Sequence, residues 1–421
     1  MTVTLFGDIN PAALGNYFIQ RFNLVGRDAE YKKNRPTLGM VPRDTEKLKN
    51  AYGFYETLRI ADAFSDSPDW VTGNKYFSPS TIVRWNVTDP FPQYSRLTFD
   101  ALTLQRNNLA TLIDLKGSES QGVANSMLDT LEFQLWNDGS GSRGQIGVLG
   151  GTAAVRIVTL VTISDVYNFP MGGIIYGSST NTGAGTDSVD LYRVTDYSPV
   201  AGTITLTRIS GAAGDLLVNY FLFVKGSKNA YMPGIPTFIP AADPADVLYG
   251  VTRTGNPALS GWRFPFKASI GETIQRSFAT MGRWVDRAHG KFVAVLSTTD
   301  WLLLSLEREG RVFENPGAMA QWGLEGLTVR TPFGPITCVA IPQLQDGRGY
   351  IIDWSSWQLY TLGNLPHVID GDGLTMVRLG TGDPTGTPPG VINGDGYAMQ
   401  FRLWKVLLCL QPLSNATFPT K

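Results

Sequence analysis

Histidine is nearly missing from this 421-residue chain: His289 and His367 are the only two, and neither forms an HxH or HExxH spacing. Proton transfer at neutral pH and zinc binding lean first on imidazole, so a catalytic or zinc-dependent function has little to stand on. Cysteine is as scarce. Cys338 in ITCVAIP and Cys409 in VLLCLQP each sit inside an apolar, strand-like run, where a small buried hydrophobe is the usual role, and no disulfide framework follows. No GxxxxGK[ST] phosphate loop and no GxSxG nucleophile elbow occurs. Charge of one sign is lacking too. A formal net charge of −1 excludes a global basic field that would hold nucleic acid through its phosphates. No run approaches the ~18 apolar residues of a membrane-spanning helix. Met1 to Ile9 has neither the basic start nor the apolar core of a secretory signal, so a cytoplasmic chain is expected. The sequons at Asn86 and Asn415 then carry no weight, because their use requires a secretory route.

What is present is globular material: 43% hydrophobic and 11% aromatic residues, enough for the cores of two or three domains. Forty-six glycines and 25 prolines are spread between apolar runs instead of being gathered in a linker, which predicts many strands and turns.

The organising stretch is 118–137. Val123, Met127, Leu131 and Leu135 repeat every four residues, with Leu128 widening the stripe, and predict one long helix; Ser118 with Gln121 offers a capping box and Gly139 a stop. Residues 1–50 hold a helical pattern near Pro11 to Phe22 and then a charged, poorly periodic stretch, and read as an arm. Lys32, Lys33, Arg35 and Lys47 to Lys49 read as a solvated or inter-subunit face. Over 51–108 a strand, FYETLRIAD, leads out to a tip rich in aromatics and a second strand, YSRLTFDALTL, leads back. An isolated two-stranded excursion of that length is marginal in water, so Trp70, Tyr76, Phe77, Trp85 and Phe91 need cover, and another subunit is the expected source.

Gly139, Gly141 and Gly144 in GSGSRG match a dinucleotide-binding spacing, but a helix precedes them where a strand is required, so an exit loop is expected. Residues 146–229 alternate apolar and polar positions between Gly, Ser, Asn and Asp turns and read as a small all-β domain inserted into a host. A proline-spaced strap expected along a surface (230–268) leads to a second helix at 269–289 with Ile270, Ile274, Phe278, Met281 and Val285 on one face. KFVAVLS reads as a buried strand, residues 299–308 as a helix capped by Thr298, Thr299 or Asp300, and the rest of 290–364 as strands completing a compact α/β unit. Asp370-Gly-Asp372-Gly373 and Asn393-Gly-Asp395-Gly396 look like calcium loops, yet lack the later ligands and closing Glu, and read as turns. The last run, QFRLWKVLLCLQPLSNATF, is nearly continuous in apolar residues and reads as a central strand.

That order of parts resembles the major capsid proteins of tailed bacteriophages. The helix exit LEFQLWNDGS, the strap GIPTFIP…DPADVLYGVTRT…LSGWR, the segment KFVAVLSTTDWLLL and the closing FRLWKVLLCLQPLSNATF carry the resemblance, which covers nearly the whole chain. It implies an α+β tailed-phage capsid fold: N-terminal arm (1–50), extended loop (51–108), peripheral domain with a spine helix (109–145), inserted all-β domain (146–229), peripheral strap and second helix (230–289), axial domain (290–364), and a return to the peripheral domain (365–421). It further implies a structural protein, not an enzyme, without cofactor or metal. Pentamers and hexamers of this chain would close into an icosahedral head around double-stranded DNA, in the virion and, during assembly, the host cytoplasm. Implied partners are scaffolding and portal proteins and a decoration protein, with weak non-specific contact to DNA. Some relatives cross-link subunits through a lysine in the extended loop; Lys75 sits near the tip here, with no acceptor or activating carboxylate legible beside it. The alternative reading is a β-rich glycan-binding or adhesive protein, suggested by ten tryptophans and the inserted domain.

Overall fold

The computed structural model describes residues 35–48, 53–61, 68–75, 81–100, 109–211, 216–254, 257–282, 291–307, 313–314, 327–362, 367–368, 377–379 and 396–421. Tyr76, Phe77, His289, the glycine-aspartate turns at 370–373 and 393–395, and the arm before Arg35 lie outside them.

The spine helix runs from Leu109 to Leu135, nine residues longer at its start than the capping box suggested. Ser118 is interior to it, because Leu109-Ala-Thr-Leu-Ile-Asp-Leu holds nothing that breaks a helix and a box of four residues is only a local signal. Met127, Leu128, Leu131 and Leu135 are buried in the larger of three cores. At its exit Asn137 Oδ1 accepts from the backbone N–H groups of Gly139 and Gly141 (3.1 Å each), and both glycines have left-handed backbone, with φ of +86° and +81°. Gly141 has a second reason to be glycine: a Cβ there would lie 2.2 Å from the Ser227 carbonyl oxygen. Gly141→Ala is therefore expected to cost at least the roughly 1–3 kcal/mol of a strained left-handed residue, read as a lowered unfolding midpoint in denaturant.

Those glycines lead into a closed six-stranded barrel of strands Ser142–Gly151, Val155–Leu160, Ile174–Ser178, Leu191–Ser198, Thr203–Ser210 and Phe221–Val224. The alternation that marks its strands puts Ile146, Val158, Ile175, Tyr192, Ile204, Leu206 and Leu222 inside. Arg143 seats the barrel on the spine. Its guanidinium lies 4.2 Å from the Phe133 ring centre and donates to the Asn168 carbonyl (2.5 Å) and the Tyr231 hydroxyl (3.0 Å).

The strap after the barrel does not run along a surface. Met232, Ile235, Phe238 and Ile239 are buried in the main core, and Arg253, also buried, holds the segment by a bidentate pair with Asp246 (2.8 and 2.5 Å) and a bond to the Thr237 carbonyl (2.7 Å). Prolines, which donate no backbone hydrogen, let an irregular segment enter a core with fewer groups to satisfy.

Two sheets carry the remainder. The seven-stranded one has the order Trp262–Arg263, Ala416–Pro419, Arg348–Asp353, Phe292–Leu296, Gly334–Ala340, Leu327–Thr331, Phe313–Glu314. Helix Ile270–Met281, capped by Ser269 Oγ accepting from Glu272 N–H (3.1 Å), packs Ile274, Phe278 and Met281 into its core. Helix Thr298–Glu307 is capped by Ser297, one residue before the three candidates; its hydroxyl accepts from Asp300 N–H (3.1 Å) and donates to the Asp300 carboxylate (2.9 Å). In the six-stranded sheet the long strand Gly396–Cys409 pairs with Trp357–Thr361, Phe91–Asp100, His367–Val368 and Val377–Leu379. The chain changes sheets twice through single 3-10 turns, at Trp354–Ser356 and Pro412–Ser414. An axial unit drawn over 290–364 therefore assigns Trp357–Thr361 to the wrong sheet, and Ala416–Pro419 returns to the first one.

Candidate assembly surface

Strand Phe54–Ala61 does not pair with 94–100, the described part of the segment expected to lead back. Its antiparallel partner is Thr81–Val87, with Glu56 opposite Trp85, whereas Phe91–Asp100 pairs over ten positions with Gly396–Cys409. The excursion is thus a hairpin of 54–61 and 81–87 whose base is fixed and whose described residues between the strands, 68–72 and Lys75, are exposed. At the base Leu58, Trp85 and Val87 are buried. Trp85 donates its indole N–H to the Cys409 carbonyl (3.0 Å) and meets Phe238 edge-on with ring centres 6.0 Å apart.

Trp85 is consequently no contact for a neighbouring subunit: its whole surface is used inside its own chain. Phe91 is half-buried against the same core. The reason is register: one alternate face of the 81–87 strand points into the main core, so residues near the base are covered there. Trp70 is different. It opens a short helix, Trp70–Lys75, and is 82% exposed, beside Val71 at 72%. Asp69 holds the helix start by accepting from Thr72 N–H (2.9 Å) and Thr72 hydroxyl (2.6 Å), and those bonds hold its carboxyl below the usual carboxylate range. Lys75 ends the helix, exposed. Tyr55, Ile82 and Tyr94 add exposed apolar surface that composition alone did not single out.

A second apolar face lies on helix Thr298–Glu307, where Leu302, Leu303 and Leu306 are exposed and Leu304 is buried. Positions i, i+1 and i+4 share a face turned away from the sheet, a signal present in WLLLSLE but masked by the buried leucine between them.

The end of the arm is tied down intramolecularly. Arg35 is buried, not solvated, donating to the Asp129 carboxylate (2.8 Å) and the Asn125 carbonyl (3.0 Å) of the spine helix. Next to it, Glu132 accepts from the N–H groups of Thr37 and Leu38 (3.0 Å each). Burial pushes the Glu132 carboxyl up to about 7, against the pull of those bonds and of Arg35. Its folded pKa is above the unfolded one, so its contribution to stability is full below about pH 4.5 and declines until about pH 7.

Chemistry is thin. Both cysteines are buried free thiols, and burial pushes Cys409 up, away from thiolate. Among the described residues no group of three or more His, Cys, Asp or Glu could hold a metal, and no helix is long and apolar enough to cross a membrane.

No protein-family model matches the sequence, and no curated protein matches it. Solved structures do. A chain of the cyanophage A-1(L) capsid asymmetric unit aligns over 100% of this chain and 96% of its own, at 9% identity and a TM-score of 0.52. The fold is a phage capsid fold. Chains from the capsid of an empty GTA particle (8% identity, 100% and 92% covered, TM-score 0.40) and from a satellite phage P4 procapsid (9%, 97% and 98%, 0.36) are also similar. At such identities the likeness concerns the fold, and the capsid fold here carries a barrel, a central C-terminal strand and a hairpin with an exposed aromatic end.

Proposed function

We propose that this chain is the structural major capsid protein of a tailed bacteriophage. Copies associate into pentamers and hexamers and close into an icosahedral head around double-stranded DNA. The observation that carries the reading is the end-to-end likeness to a cyanophage capsid chain, with nearly all of both chains aligned. Two surfaces supply contacts of the heterologous kind such a shell needs: the hairpin end with Trp70, and the leucine face of helix Thr298–Glu307. A net charge of −1 suits a container that must be filled, because a strongly basic lining would hold DNA instead of letting it move. Scaffolding, portal and decoration proteins are the further partners of this reading, the host cytoplasm its place of assembly, and no enzymatic activity is assigned.

The test is the size distribution of the purified protein over a concentration series, by light scattering with electron microscopy of any large fraction. Shells, tubes or capsomer-sized rings are expected. Trp70→Asp is expected to reduce the assembled fraction by at least about tenfold, the effect of losing one interface anchor, while leaving the unfolding midpoint unchanged because Trp70 touches no core. A chain that remains monomeric at every concentration, with and without co-produced scaffold, overturns the proposal.

A further inference from the structure

A groove of about 870 Å³ runs between the spine helix, strand Phe91–Asp100 and the barrel, inside the roughly 300–1,000 Å³ range of small-molecule sites. Two of the side chains lining it are nearly enclosed yet unsatisfied. Gln134 is 2% exposed and its Oε1 has no donor; Arg143 is 8% exposed and its Nε–H has no acceptor among the described residues. Each buried polar atom left unpaired is costly, so the groove calls for an occupant that brings a donor and an acceptor together. The Gln134 carboxamide turns about its last bond at little cost, so such an occupant can meet either its oxygen or its N–H groups.

The walls are aromatic. Tyr94, exposed, stands on strand Phe91–Asp100, and the Arg402 guanidinium lies 5.1 Å from its ring centre and steadies the ring from one side. On the barrel side Tyr167, also exposed, projects from the 3-10 turn Ile163–Asn168. The spine contributes Gly122, Ser126 and Thr130, whose short side chains leave the space open.

Charge selects no ion here. Asp129 pairs with Arg35, while Arg143 and Lys225 lie against the rings of Phe133 and Tyr176. An ionic ligand finds no field of one sign to follow, and a purely apolar one would cover two polar atoms without pairing them. A carbohydrate meets each demand. Every hydroxyl both donates and accepts, so neighbouring hydroxyls of one ring can serve Gln134 and Arg143, and the C–H faces of the rings cover the apolar bodies of the tyrosines.

We propose that this groove binds a neutral oligosaccharide, with sugar rings against Tyr94 and Tyr167 and hydroxyls bonded to the Gln134 carboxamide and Arg143 Nε. The site is a property of the single chain and does not rest on the capsid reading.

The test is calorimetric titration and saturation-transfer NMR of the full-length protein with maltotriose, cellotriose and tri-N-acetylchitotriose, and with tetra-alanine as a polypeptide probe. At least one sugar is expected to bind with a Kd of about 1 mM or below. Gln134→Leu and Tyr94→Ala are each expected to weaken that binding at least about tenfold, the size of one lost contact. Gln134→Leu should keep or raise the unfolding midpoint, because it removes an unpartnered buried oxygen, so its loss of binding is not a loss of fold. Three outcomes would overturn the inference: no sugar binding at about 10 mM, sugar binding that both variants leave unchanged, or binding of tetra-alanine alone, which assigns the groove to a polypeptide. Shells that form from a chain without sugar binding count against this inference alone; sugar binding by a chain that never assembles counts against the capsid reading alone.

Discussion

Replacing Asn415 by alanine is expected to remove about 3–6 kcal/mol of stability, a large share of the ~5–15 kcal/mol that holds a typical domain together. Asn415 is fully buried where the chain passes from one sheet to the other. Its Oδ1 accepts from the Asp353 backbone N–H (3.0 Å) and the Trp357 indole N–H (2.9 Å). Its Nδ2 donates to Ser356 Oγ (2.9 Å) and the Gln411 carbonyl (3.0 Å). One side chain thus satisfies both 3-10 turns that change sheets. Alanine leaves two buried donors unsatisfied at once, which is why the expected loss exceeds that of an ordinary hydrogen bond. Asn415→Asp separates this from a mere volume effect. The charged carboxylate keeps the acceptors but cannot donate, so the variant should be unstable at pH 7 and recover as the pH falls and the group is protonated. Thermal unfolding between pH 4 and pH 8 decides it: a pH-independent loss would place the effect in packing instead.

Lys405→Met is expected to change stability in the other direction. Lys405 is fully buried in the long central strand, and its ammonium donates to Gln93 Oε1 at 2.5 Å, with no carboxylate partner among the described residues. Burial pulls its pKa down to about 7 from 10.5. A depressed pKa means that stability is full above pH 10.5, is lost as the pH falls, and is lowest below about 7. At about 1.4 kcal/mol per pH unit, the cost near neutrality approaches roughly 5 kcal/mol. Methionine has a similar shape and no charge to bury, and Gln93 is half-exposed, so water can satisfy its oxygen. A gain of about 2–4 kcal/mol at pH 7 is expected, shrinking to nothing near pH 10.5, by denaturant unfolding at both pH values. An equal loss at both would show that the ammonium is compensated in the fold. Glu132 titrates over a different window and with opposite sign, so the difference between wild type and Lys405→Met isolates the lysine.

The parts of the fold that were legible were those with a short period. The stripe of Met127, Leu131 and Leu135 turned out to be a buried helix face, and the alternation in TITLTRIS an inward and outward set in the barrel. Both follow from 3.6-residue and two-residue repeats visible in the chain. Of the hairpin residues singled out, Trp70 lies on exposed surface and Trp85 does not, although both are tryptophans in an aromatic-rich stretch. Nothing local distinguishes them. Trp85 is covered by Phe238 and by the Cys409 carbonyl, 324 positions along the chain.

Composition, then, determined the kind of molecule: a strand-rich globular chain with little imidazole, few thiols and a net charge of −1 that offers a polyanion no basic field. Periodicity determined which residues of each helix and strand face inward, and the glycine and proline positions determined where segments turn. Tertiary structure alone decided which strand pairs with which, that Phe91–Asp100 belongs to the C-terminal strand and not to the hairpin, and that one run of strands serves two sheets. The physical reason is that every strand presents the same backbone donors and acceptors to its edges. A pattern in the chain names the face a side chain takes, but the partner is chosen by what the whole chain can bury together.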